Sequence, residues 1–215
     1  MAECFTSIQG EGASVGVPAN FLRLQGCSVG CRWCDSRYTW PADGGESKSL
    51  EEIASCFDEC GRARLLVLTG GEPLENPGFA SVIQWASQSW RQIEVETSGV
   101  RRPPPVPANV SWNWSPKLSS VTPRADLTWS HADNFKASPS WVCKVVVDGP
   151  QDWDEALKRI SACQIPSEHV LIMPQGIHSA DLAERGRWLV PLCIERGFRL
   201  SSRLHIHLWG PKRGV

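Results

Sequence analysis

Apolar residues recur along this chain with two periods, and each period predicts a type of secondary structure. Stretches in which apolar residues alternate with polar ones or run together predict strands. Longer stretches with apolar residues three and four positions apart predict helices, the first with a capping box formed by Ser49 and Glu52. The predicted strands are residues 20–25, 64–68, 92–96, 110–114, 141–147, 169–173 and 199–205, and the predicted helices are residues 49–60, 79–90, 152–162 and 179–195.

The segments between these elements are polar or contain helix-breaking residues. Residues 41–48 are polar and rich in glycine, which predicts a loop. Residues 101–107 contain four prolines, which predicts a linker or a surface loop. Residues 5–12 form a short segment that ends in a glycine-rich turn, and residues 119–139 have too little periodicity for a prediction.

Strands that alternate with helices predict a parallel α/β sheet with helical crossovers. A polar motif follows five of the predicted strands, at residues 27–36, 69–73, 96–99, 115–117 and 173–176. The carboxyl ends of parallel strands lie on one side of a sheet, where ligands bind. We therefore expect the five motifs to surround a common site.

Composition and charge argue against several classes of function. The net charge of −1 argues against binding to bulk nucleic acid or to an anionic membrane. No apolar run approaches the roughly 20 residues of a membrane span, and residues 1–4 lack signal-peptide features, so we expect a cytoplasmic protein. The nine cysteines are then expected to be reduced thiols and metal ligands rather than disulfides.

The densest chemical signal is a loop in which Cys27, Cys31 and Cys34 have the spacing C-x3-C-x2-C. Thiolates are soft ligands that favour zinc, copper(I) or iron–sulfur clusters. A structural zinc site normally has four protein ligands, and no fourth ligand is obvious here. Three thiolates on a four-iron cluster would leave one iron open to a small molecule. The loop therefore favours cluster chemistry over a set of buried structural cysteines.

The remaining six cysteines are interpreted as structural. Cys56 and Cys60 lie four residues apart on a predicted helix and could imitate a metal pair. Nothing nearby in the sequence completes a site, so we expect them to form one buried helix face. The others are isolated in the sequence: Cys4, Cys143, Cys163 and Cys193.

The sequence Thr69-Gly70-Gly71-Glu72-Pro73 is a glycine turn at a predicted strand end. Glycines allow the backbone to approach a ligand closely, and strand-end amides can hydrogen-bond a carboxylate. Glu72 could then accept a hydrogen bond from an ammonium group. A plain strand-to-helix turn explains these residues as well, so this motif alone does not decide between the two.

The cysteine loop, with Trp33 before its last cysteine, and the later Gly70-Gly71-Glu72-Pro73 together resemble the radical S-adenosylmethionine (SAM) superfamily. The resemblance implies an α/β fold, an incomplete TIM-like barrel of the radical SAM type with short crossovers, in a single domain of residues 1–215. A full barrel usually needs about 250 residues. It also implies a [4Fe–4S] cluster on the three cysteines. The open iron would bind SAM, which is cleaved to a 5′-deoxyadenosyl radical that removes a substrate hydrogen.

A narrower resemblance covers nearly the whole chain. It rests on Ile8-Gln9-Gly10-Glu11-Gly12, Asn20-Phe21-x-Arg23, the cysteine loop with Asp35-Ser36, the turn at 69–73, Glu96-Thr97-Ser98-Gly99, Ser115-Pro116-Lys117, Lys144-Val145-Val146, Met173-Pro174-Gln175-Gly176 and His205. In this order the motifs are similar to the 7-carboxy-7-deazaguanine synthases. The resemblance implies contraction of 6-carboxy-5,6,7,8-tetrahydropterin to 7-carboxy-7-deazaguanine with loss of ammonia. This is a carbon–nitrogen lyase reaction in the biosynthesis of queuosine and other 7-deazapurines.

The same resemblance implies a ligand for each matching position, and no acid or base catalyst. The expected SAM site is Trp33, Cys34, Asp35, Gly71, Glu72, Glu96, Ser98, Ser115, Pro116, Lys117, Met173, Pro174, Gln175 and Gly176. The expected substrate site is Ile8, Gln9, Gly10, Glu11, Arg23, Thr69 and His205. The planar guanidinium of Arg23 suits a substrate carboxylate.

A magnesium ion is also implied, with a hydroxyl ligand directly after the Cys34-Asp35 pair. This chain has Ser36 at the position where threonine is expected. Serine supplies the same hard oxygen, which suits Mg²⁺. The alternative is that Ser36 caps the next turn.

Two further assignments have alternatives. Arg23 and Glu11 could form a surface ion pair of small energetic value. His205 and His207 lie two residues apart, so in a strand they would share one face and could imitate a metal pair. We expect His205 to contact the substrate and His207 to be structural, while the tail beyond His205 matches the family poorly.

The resemblance implies a small-molecule pterin substrate, an electron donor such as a flavodoxin or ferredoxin, and a homodimer. Two other functions share part of the pattern. An activase that makes a glycyl radical on a partner protein would not need the Gln9-Gly10-Glu11 motif or Arg23. A non-catalytic iron–sulfur electron carrier or a zinc module would need a fourth ligand, and would leave the turns at 69–73 and 115–117 unexplained.

Overall fold

The computed structural model describes residues 1–215 and contains one sheet of eight strands. The strands lie side by side in chain order, and the first and last are not paired with each other, so the sheet is open. The strands are β1 (Glu3–Ile8), β2 (Pro18–Leu24), β3 (Leu65–Gly70), β4 (Gln92–Thr97), β5 (Val110–Trp114), β6 (Trp141–Val147), β7 (Val170–Pro174) and β8 (Arg199–Leu200). The predicted α/β architecture with an incomplete barrel is confirmed.

Seven α-helices connect or follow these strands. They are α1 (Leu50–Cys60), α2 (Phe79–Ser89), α3 (Ala125–Trp129), α4 (Ala132–Lys136), α5 (Pro150–Ala162), α6 (Ser179–Arg196) and α7 (Leu204–Trp209). The capping box predicted for α1 is present, because Ser49 Oγ accepts from Glu52 N at 3.2 Å and Ser49 N donates to Glu52 Oε2 at 2.7 Å. None of the helices has both the length and the apolar character that a membrane span requires.

The strand pairing is parallel from β2 to β8, but β1 pairs antiparallel with β2. The sequence analysis left β1 as a segment without secondary structure. All six of its residues are half-buried, so it has no clear alternation of buried and exposed positions. The strand is instead defined by its contacts with β2, which include the stacking of Phe5 on Phe21 with ring centroids 4.8 Å apart.

Aromatic packing explains the two helices for which the sequence had no periodic signal. Trp112 and Trp114 of β5 are almost completely buried. Trp114 stacks on Phe135 of α4 at 5.0 Å and meets Trp129 of α3 edge-on at 5.5 Å. Five-residue helices are marginal by themselves, so these contacts with the sheet hold α3 and α4 in place.

The prediction of a last strand at residues 199–205 is largely wrong. Only Arg199 and Leu200 are in β8, and the chain then turns into α7. Leu204 N donates to Gly10 O at 2.8 Å, which fixes the start of α7 beside the loop after β1. His205 and His207 therefore lie on a helix, and the shared strand face expected for them does not exist.

Candidate active site

A cleft of about 640 Å³ lies at the carboxyl ends of the parallel strands. Parallel pairing brings the loops after β2, β3, β4, β5 and β7 to the same side of the sheet, as expected. All five polar motifs contribute to the lining of this cleft. Every residue that the sequence analysis assigned to SAM, substrate, cluster or magnesium lines it, although their individual roles remain predictions.

The cysteine loop is held at its base and at its far side. Gly26 N donates to Thr39 O at 2.8 Å, and Cys27 N donates to Trp40 O at 3.1 Å, so the loop returns to its own starting point. Arg32 N donates to Val121 O at 2.8 Å, which ties the loop to the segment before α3. These backbone bonds fix the directions in which the three thiols project.

The three thiols of the loop suit a cluster better than a single ion. A tetrahedral zinc ion with Zn–S bonds of about 2.3 Å brings its sulfur ligands to within about 4 Å of one another. Cys27, Cys31 and Cys34 are not among the side chains whose ligand atoms come within 4.8 Å of one another. Each thiolate of an iron–sulfur cluster binds a different iron, so a wider separation is what a cluster needs.

Two further observations concern the state of these thiols. Burial raises the pKa of Cys27 to about 11, and burial also raises the pKa of Cys31. A coordinating metal deprotonates such thiols outright. Trp40 Nε1 lies 3.3 Å from Cys34 Sγ and donates a hydrogen bond to it.

Gly71 lets the turn after β3 pack directly against the cysteine loop. A Cβ at position 71 would overlap the carbonyl oxygen of Gly26. The following amide, Glu72 N, donates to that same oxygen at 2.8 Å. The close approach of the two backbones requires glycine here, so a plain strand-to-helix turn does not account for this position.

Glu72 joins the turn after β3 to the turn after β4. Its buried carboxylate accepts from Thr97 Oγ1 at 2.6 Å, Ser98 N at 2.8 Å and Leu74 N at 3.1 Å, and also from Ser98 Oγ. These four bonds equal the number of lone-pair positions that a carboxylate offers. An ammonium ligand on Glu72 would therefore have to displace one of them.

Lys144 on β6 is buried between two carboxylates. Its Nζ donates to Glu11 Oε2 at 2.7 Å and to Glu96 Oε2 at 2.8 Å. Burial alone would lower the pKa of Lys144, but the two carboxylates outweigh it and raise that pKa. Burial alone would raise the pKa of Glu11, but Lys144 and Arg203 hold it well below its usual value. Lys144 and Glu11 are therefore ionised at neutral pH.

Comparison with known proteins supplies the family. The model of the radical SAM superfamily matches residues 22–186. The 7-carboxy-7-deazaguanine synthase of Pyrobaculum aerophilum is 35% identical over 216 residues, which cover 99% of this chain and 95% of the relative. The chain belongs to the 7-carboxy-7-deazaguanine synthase family of the radical SAM superfamily. Membership implies a [4Fe–4S] cluster and SAM as cofactors, and the three thiols described above fit the cluster.

Other members of the family and one solved structure agree. The synthases of Rhodopirellula baltica and Escherichia coli K12 are each 30% identical, over 100% and 96% of this chain and 88% and 96% of the relatives. The crystal structure of QueE from Escherichia coli superposes with a TM-score of 0.73 at 27% identity, covering 95% of this chain and 93% of that one. These relatives do not favour an activase or a non-catalytic carrier.

A more distant neighbour supports the fold alone. Streptococcus suis SuiB bound to a precursor peptide superposes with a TM-score of 0.53 at 13% identity. The superposition covers 85% of this chain and 47% of SuiB. The α/β fold is thus the part shared with this neighbour.

Arg203 is the most prominent site residue that the sequence analysis of this family member missed. Its Nε donates to Glu11 Oε1 at 2.8 Å, one terminal nitrogen donates to Gly176 O at 2.9 Å, and the other is paired with Asp35. It therefore links the cysteine loop, the loop after β1 and the turn after β7. No sequence motif marks Arg203. The strand predicted over residues 199–205 also gave no reason to place it in the site.

Glu94 and Asn113 were also missed, although the sequence contained a signal for them. Both are polar residues inside buried strands. Asn113 Nδ2 donates to Glu94 Oε2 at 3.1 Å and to Glu96 Oε1 at 3.0 Å, and Gln9 Nε2 donates to the same two carboxylates at 3.3 and 3.4 Å. Burial and the nearby Glu96 raise the pKa of Glu94. These bonds fix the orientation of the Gln9 amide.

The alternative of an ion pair between Arg23 and Glu11 is wrong, because each has another partner. Arg23 Nε pairs with Glu3 Oε2 at 2.8 Å. Glu3 also accepts from Tyr38 at 2.7 Å and from Arg213 at 2.7 Å. Arg23 lines the cleft, and this ion pair engages only its Nε, so its terminal nitrogens face no competing protein carboxylate.

The two histidines of α7 have different environments. His205 packs on Gly10, where a Cβ would overlap its ring, and it lines the cleft. Burial lowers the pKa of His205, so the ring is neutral at neutral pH. His207 lies outside the cleft, and its two ring nitrogens lie 2.8 Å from Ser179 Oγ and 2.8 Å from Ser202 Oγ. The structural role expected for His207 agrees with these contacts.

Proposed function

We propose that this protein catalyses the reaction of its family, the conversion of 6-carboxy-5,6,7,8-tetrahydropterin to 7-carboxy-7-deazaguanine with release of ammonia. The observation that supports this most strongly is the composition of the cleft. The same cleft is lined by the three thiols and by Gln9, Glu11 and Arg23. It therefore combines ligands for a cluster and SAM with side chains suited to a flat, hydrogen-bonding carboxylate. The reaction would place the enzyme among the carbon–nitrogen lyases of queuosine biosynthesis.

The cluster and SAM, when bound, supply the one-electron chemistry that removes a hydrogen atom from the substrate. The protein's own part is to hold and orient the reactants. Cys27, Cys31 and Cys34 hold the cluster. The strand-end turns carry the proposed SAM contacts, which are Trp33, Asp35, Gly71, Glu72, Glu96, Ser98, Ser115, Pro116, Lys117 and residues 173–176.

On the substrate side, the charges around Glu11 favour a ligand that donates hydrogen bonds. Glu11 stays ionised because Lys144 and Arg203 flank it, so it can only accept hydrogen bonds. A pterin edge offers N–H groups to such a carboxylate. The Gln9 amide is oriented by Glu94 and Glu96 and supplies a second fixed contact. Ile8, Gly10, Thr69 and His205 complete the proposed substrate wall.

Arg23 is the proposed partner of the substrate carboxylate. Replacement of Arg23 by alanine should raise the KM for the pterin about 10- to 100-fold, because hydrogen bonds to charged groups contribute about 1.5–3 kcal/mol. Binding of SAM should not change. Steady-state kinetics with the pterin, together with SAM titration of the cluster-loaded protein, measure both quantities.

The control for this variant is Arg213→Ala, which also removes a guanidinium from Glu3. Arg213 also lines the cleft, but it is more exposed than Arg23 and its guanidinium lies over the Tyr38 ring, so its loss should raise KM much less than loss of Arg23. An equal rise of KM in both variants would show that the effect arises through Glu3, which would contradict a direct contact between Arg23 and the substrate.

Magnesium binding by Ser36 is proposed on the chemistry of its hydroxyl. Ser36 lines the cleft and its Oγ lies 3.6 Å from Cys34 Sγ, so its hydroxyl is close to a proposed cluster ligand. Mg²⁺ usually keeps several waters and takes few protein ligands. One hydroxyl together with substrate oxygens therefore suffices.

Four further properties follow from the proposed function and the family resemblance. Residues 1–215 would act as a single catalytic domain, since the cleft draws on the chain from Glu3 to Val215. A second copy would cover the exposed Val190 and Ile194 of α6 in a homodimer. A flavodoxin or ferredoxin would supply the electron. All nine cysteines are free thiols, which suits the reducing cytoplasm.

One anaerobic experiment tests the proposal. The protein is reconstituted with iron and sulfide, then given a reductant, SAM, Mg²⁺ and the carboxy-tetrahydropterin. The expected products are the deazapurine and ammonia in equal amounts, because loss of ammonia accounts for the whole change in composition, and 5′-deoxyadenosine is measured separately as the sign of SAM cleavage. Cleavage of SAM without consumption of the pterin would contradict the substrate assignment, and a preparation that takes up no iron would contradict the radical mechanism.

A further inference from the structure

Three cysteines outside the cleft form a second cluster of thiols. The sulfur atoms of Cys4, Cys56 and Cys60 all lie within 4.8 Å of one another, and no other set of three histidine, cysteine or acidic side chains in the chain does so. None of the three lines the active-site cleft. The sequence analysis treated Cys4 as isolated and the other two as a buried helix face. Both expectations are wrong, because Cys4 meets the pair and Cys60 is exposed.

The fold brings the three thiols together because side chains alternate between the two faces of strand β1 and recur at each turn of helix α1. Glu3 and Phe5 on β1 line the cleft, so the intervening Cys4 points to the other face of the strand, toward α1. Cys56 and Cys60 are one helical turn apart on α1 and share a face. Cys56 Sγ lies 4.0 Å from Cys4 O, and Cys60 Sγ donates to Cys56 O at 2.9 Å.

The end of α1 is fixed to the sheet next to these thiols. The carbonyl of Gly61, directly after α1, accepts from Thr6 Oγ1 at 2.8 Å and from Asn20 Nδ2 at 2.8 Å. Asn20 Oδ1 in turn accepts from Ala63 N at 2.8 Å. The relative position of β1 and the last turn of α1 is therefore set before any ligand binds, which lowers the entropy cost of binding one.

We propose that Cys4, Cys56 and Cys60 form a three-thiolate site for a soft divalent ion of the zinc class. Thiolate ligands select such ions. With Zn–S bonds of about 2.3 Å, a tetrahedral ion needs sulfur–sulfur distances of about 3.8 Å, so the thiols have to move by less than about 1 Å. Cys60 is exposed, which leaves the fourth position to water.

The position at the end of α1 favours a cation. Cys60 is the last residue of the helix, where the partial negative charge of the helix dipole is located. The site is separate from the radical SAM cysteines, which line the cleft. A bound ion would link α1 to the edge strand β1 and so stabilise the side of the sheet that carries Glu3, the partner of Arg23.

The test uses the full chain loaded with its iron–sulfur cluster under anaerobic conditions. The protein is stripped of loosely held metal with a chelator and then titrated with Zn²⁺, and iron and zinc are counted by elemental analysis. We expect one zinc per chain with the iron content unchanged. At zinc about 100-fold above Kd, the Tm should rise by about 5–10 °C. Absorption at the zinc edge should show three sulfur neighbours at about 2.3 Å.

The decisive variant is Cys60→Ser, because this side chain is exposed and its replacement carries little risk for folding. Removal of a direct ligand should weaken zinc binding by more than the about 10- to 100-fold that outer contacts contribute. Cys4→Ser should do the same. The matched control is Cys163→Ser, which replaces a half-buried cysteine elsewhere and should leave zinc affinity unchanged.

Two results would overturn the proposal. One is zinc affinity in the wild type no higher than in Cys60→Ser. The other is zinc uptake that occurs only at the expense of iron, which would place the ion on the cluster cysteines instead. If Cys4→Ser fails to fold, the comparison of Cys60→Ser with Cys163→Ser still decides the question.

Discussion

Replacement of Cys31 by alanine should abolish both stable cluster loading and turnover. The middle thiol of the loop is half-buried at the wall of the cleft, and the loop that carries it is fixed by the bond from Arg32 N to Val121 O. No spare ligand is positioned to replace it. Because all the proposed chemistry depends on the cluster, the whole acceleration, at least about 10⁶-fold, should be lost. Iron analysis after anaerobic reconstitution and product formation from the carboxy-tetrahydropterin measure the two effects.

The matched control is Cys163→Ala, which removes a half-buried thiol that does not line the cleft. Its iron content and turnover should equal those of the wild type. A Cys31→Ala protein that retains a full complement of iron and normal turnover would show that the cluster is held elsewhere. The thermal stability of both variants is also measured without iron. A value equal to that of the wild type would show that Cys31→Ala has lost the cluster ligand and not the fold.

Replacement of Lys144 by methionine should cause the largest loss of stability among the site variants. The side chain of Lys144 is 4% exposed and neutralises Glu11 and Glu96 together. Methionine fills a similar volume but leaves two carboxylates without this cation. Breaking a buried ion pair from one side costs about 3–5 kcal/mol. We expect the lower end of this range, because Arg203 still pairs with Glu11 and Asn113 still donates to Glu96. Chemical denaturation at neutral pH gives the free energy of unfolding.

The pH dependence of this variant has a definite sign. The folded-state pKa of Glu11 is depressed in the wild type, so its contribution to stability is present above the unfolded value of 4.5 and is lost as the pH falls through the folded value. Without Lys144 that depression is smaller. The difference in unfolding free energy between wild type and Lys144→Met should therefore be largest above pH 4.5 and shrink as the pH is lowered below 4.5.

Lys136→Met is the control, because Lys136 pairs with the exposed Asp133 and donates to Cys163 O at 2.7 Å, outside the cleft. An exposed pair contributes about 0–1 kcal/mol and one hydrogen bond about 0.5–1.5 kcal/mol, so this variant should lose less stability than Lys144→Met. If both lysine variants lose the same stability, the loss reflects the removal of a lysine in general and not the two buried carboxylates that Lys144 neutralises.

The parts of the fold that the sequence predicted well are those with a strong local signal. The strands predicted at residues 110–114 and 141–147 coincide with β5 and β6, and those predicted at 64–68 and 92–96 appear as β3 and β4 with ends shifted by one or two residues. All four are short runs bounded by turn residues. Helix α1 carries its own start signal in Ser49 and Glu52. Local sequence decides such elements because it agrees with the tertiary structure around them.

The elements that sequence reasoning missed depend on distant partners. Strand β1 is half-buried throughout and is defined by its pairing with β2. Helices α3 and α4 are too short to be stable alone and rest on Trp112 and Trp114. The strand predicted at residues 199–205 overlaps helix α7, which begins at Leu204. The conformation of this helix is set by a bond to Gly10, far away in the sequence.

The residues of the site fall into the same two groups, those with a local sequence signal and those without one. Residues in glycine-rich or cysteine-rich motifs at strand ends could be placed from sequence, because parallel pairing brings those ends together. Arg203, Glu94 and Asn113 could not, because their importance arises from the side chains they face, not from any local pattern. Lys144 lay inside a recognised motif, but only its burial between Glu11 and Glu96 shows what its charge does.

The bond between Arg203 and Glu11 also has a consequence for how the protein is made. It joins residues 192 positions apart, so the substrate wall cannot be complete until the last part of the chain has been synthesised and has docked. Contacts this distant in sequence form slowly, after the more local βα units. During synthesis the cysteine loop emerges first, with its thiols exposed, whereas Val121 and Arg203, which hold it, emerge much later. Delivery of the cluster is therefore best timed after release from the ribosome, when the loop has acquired its supports.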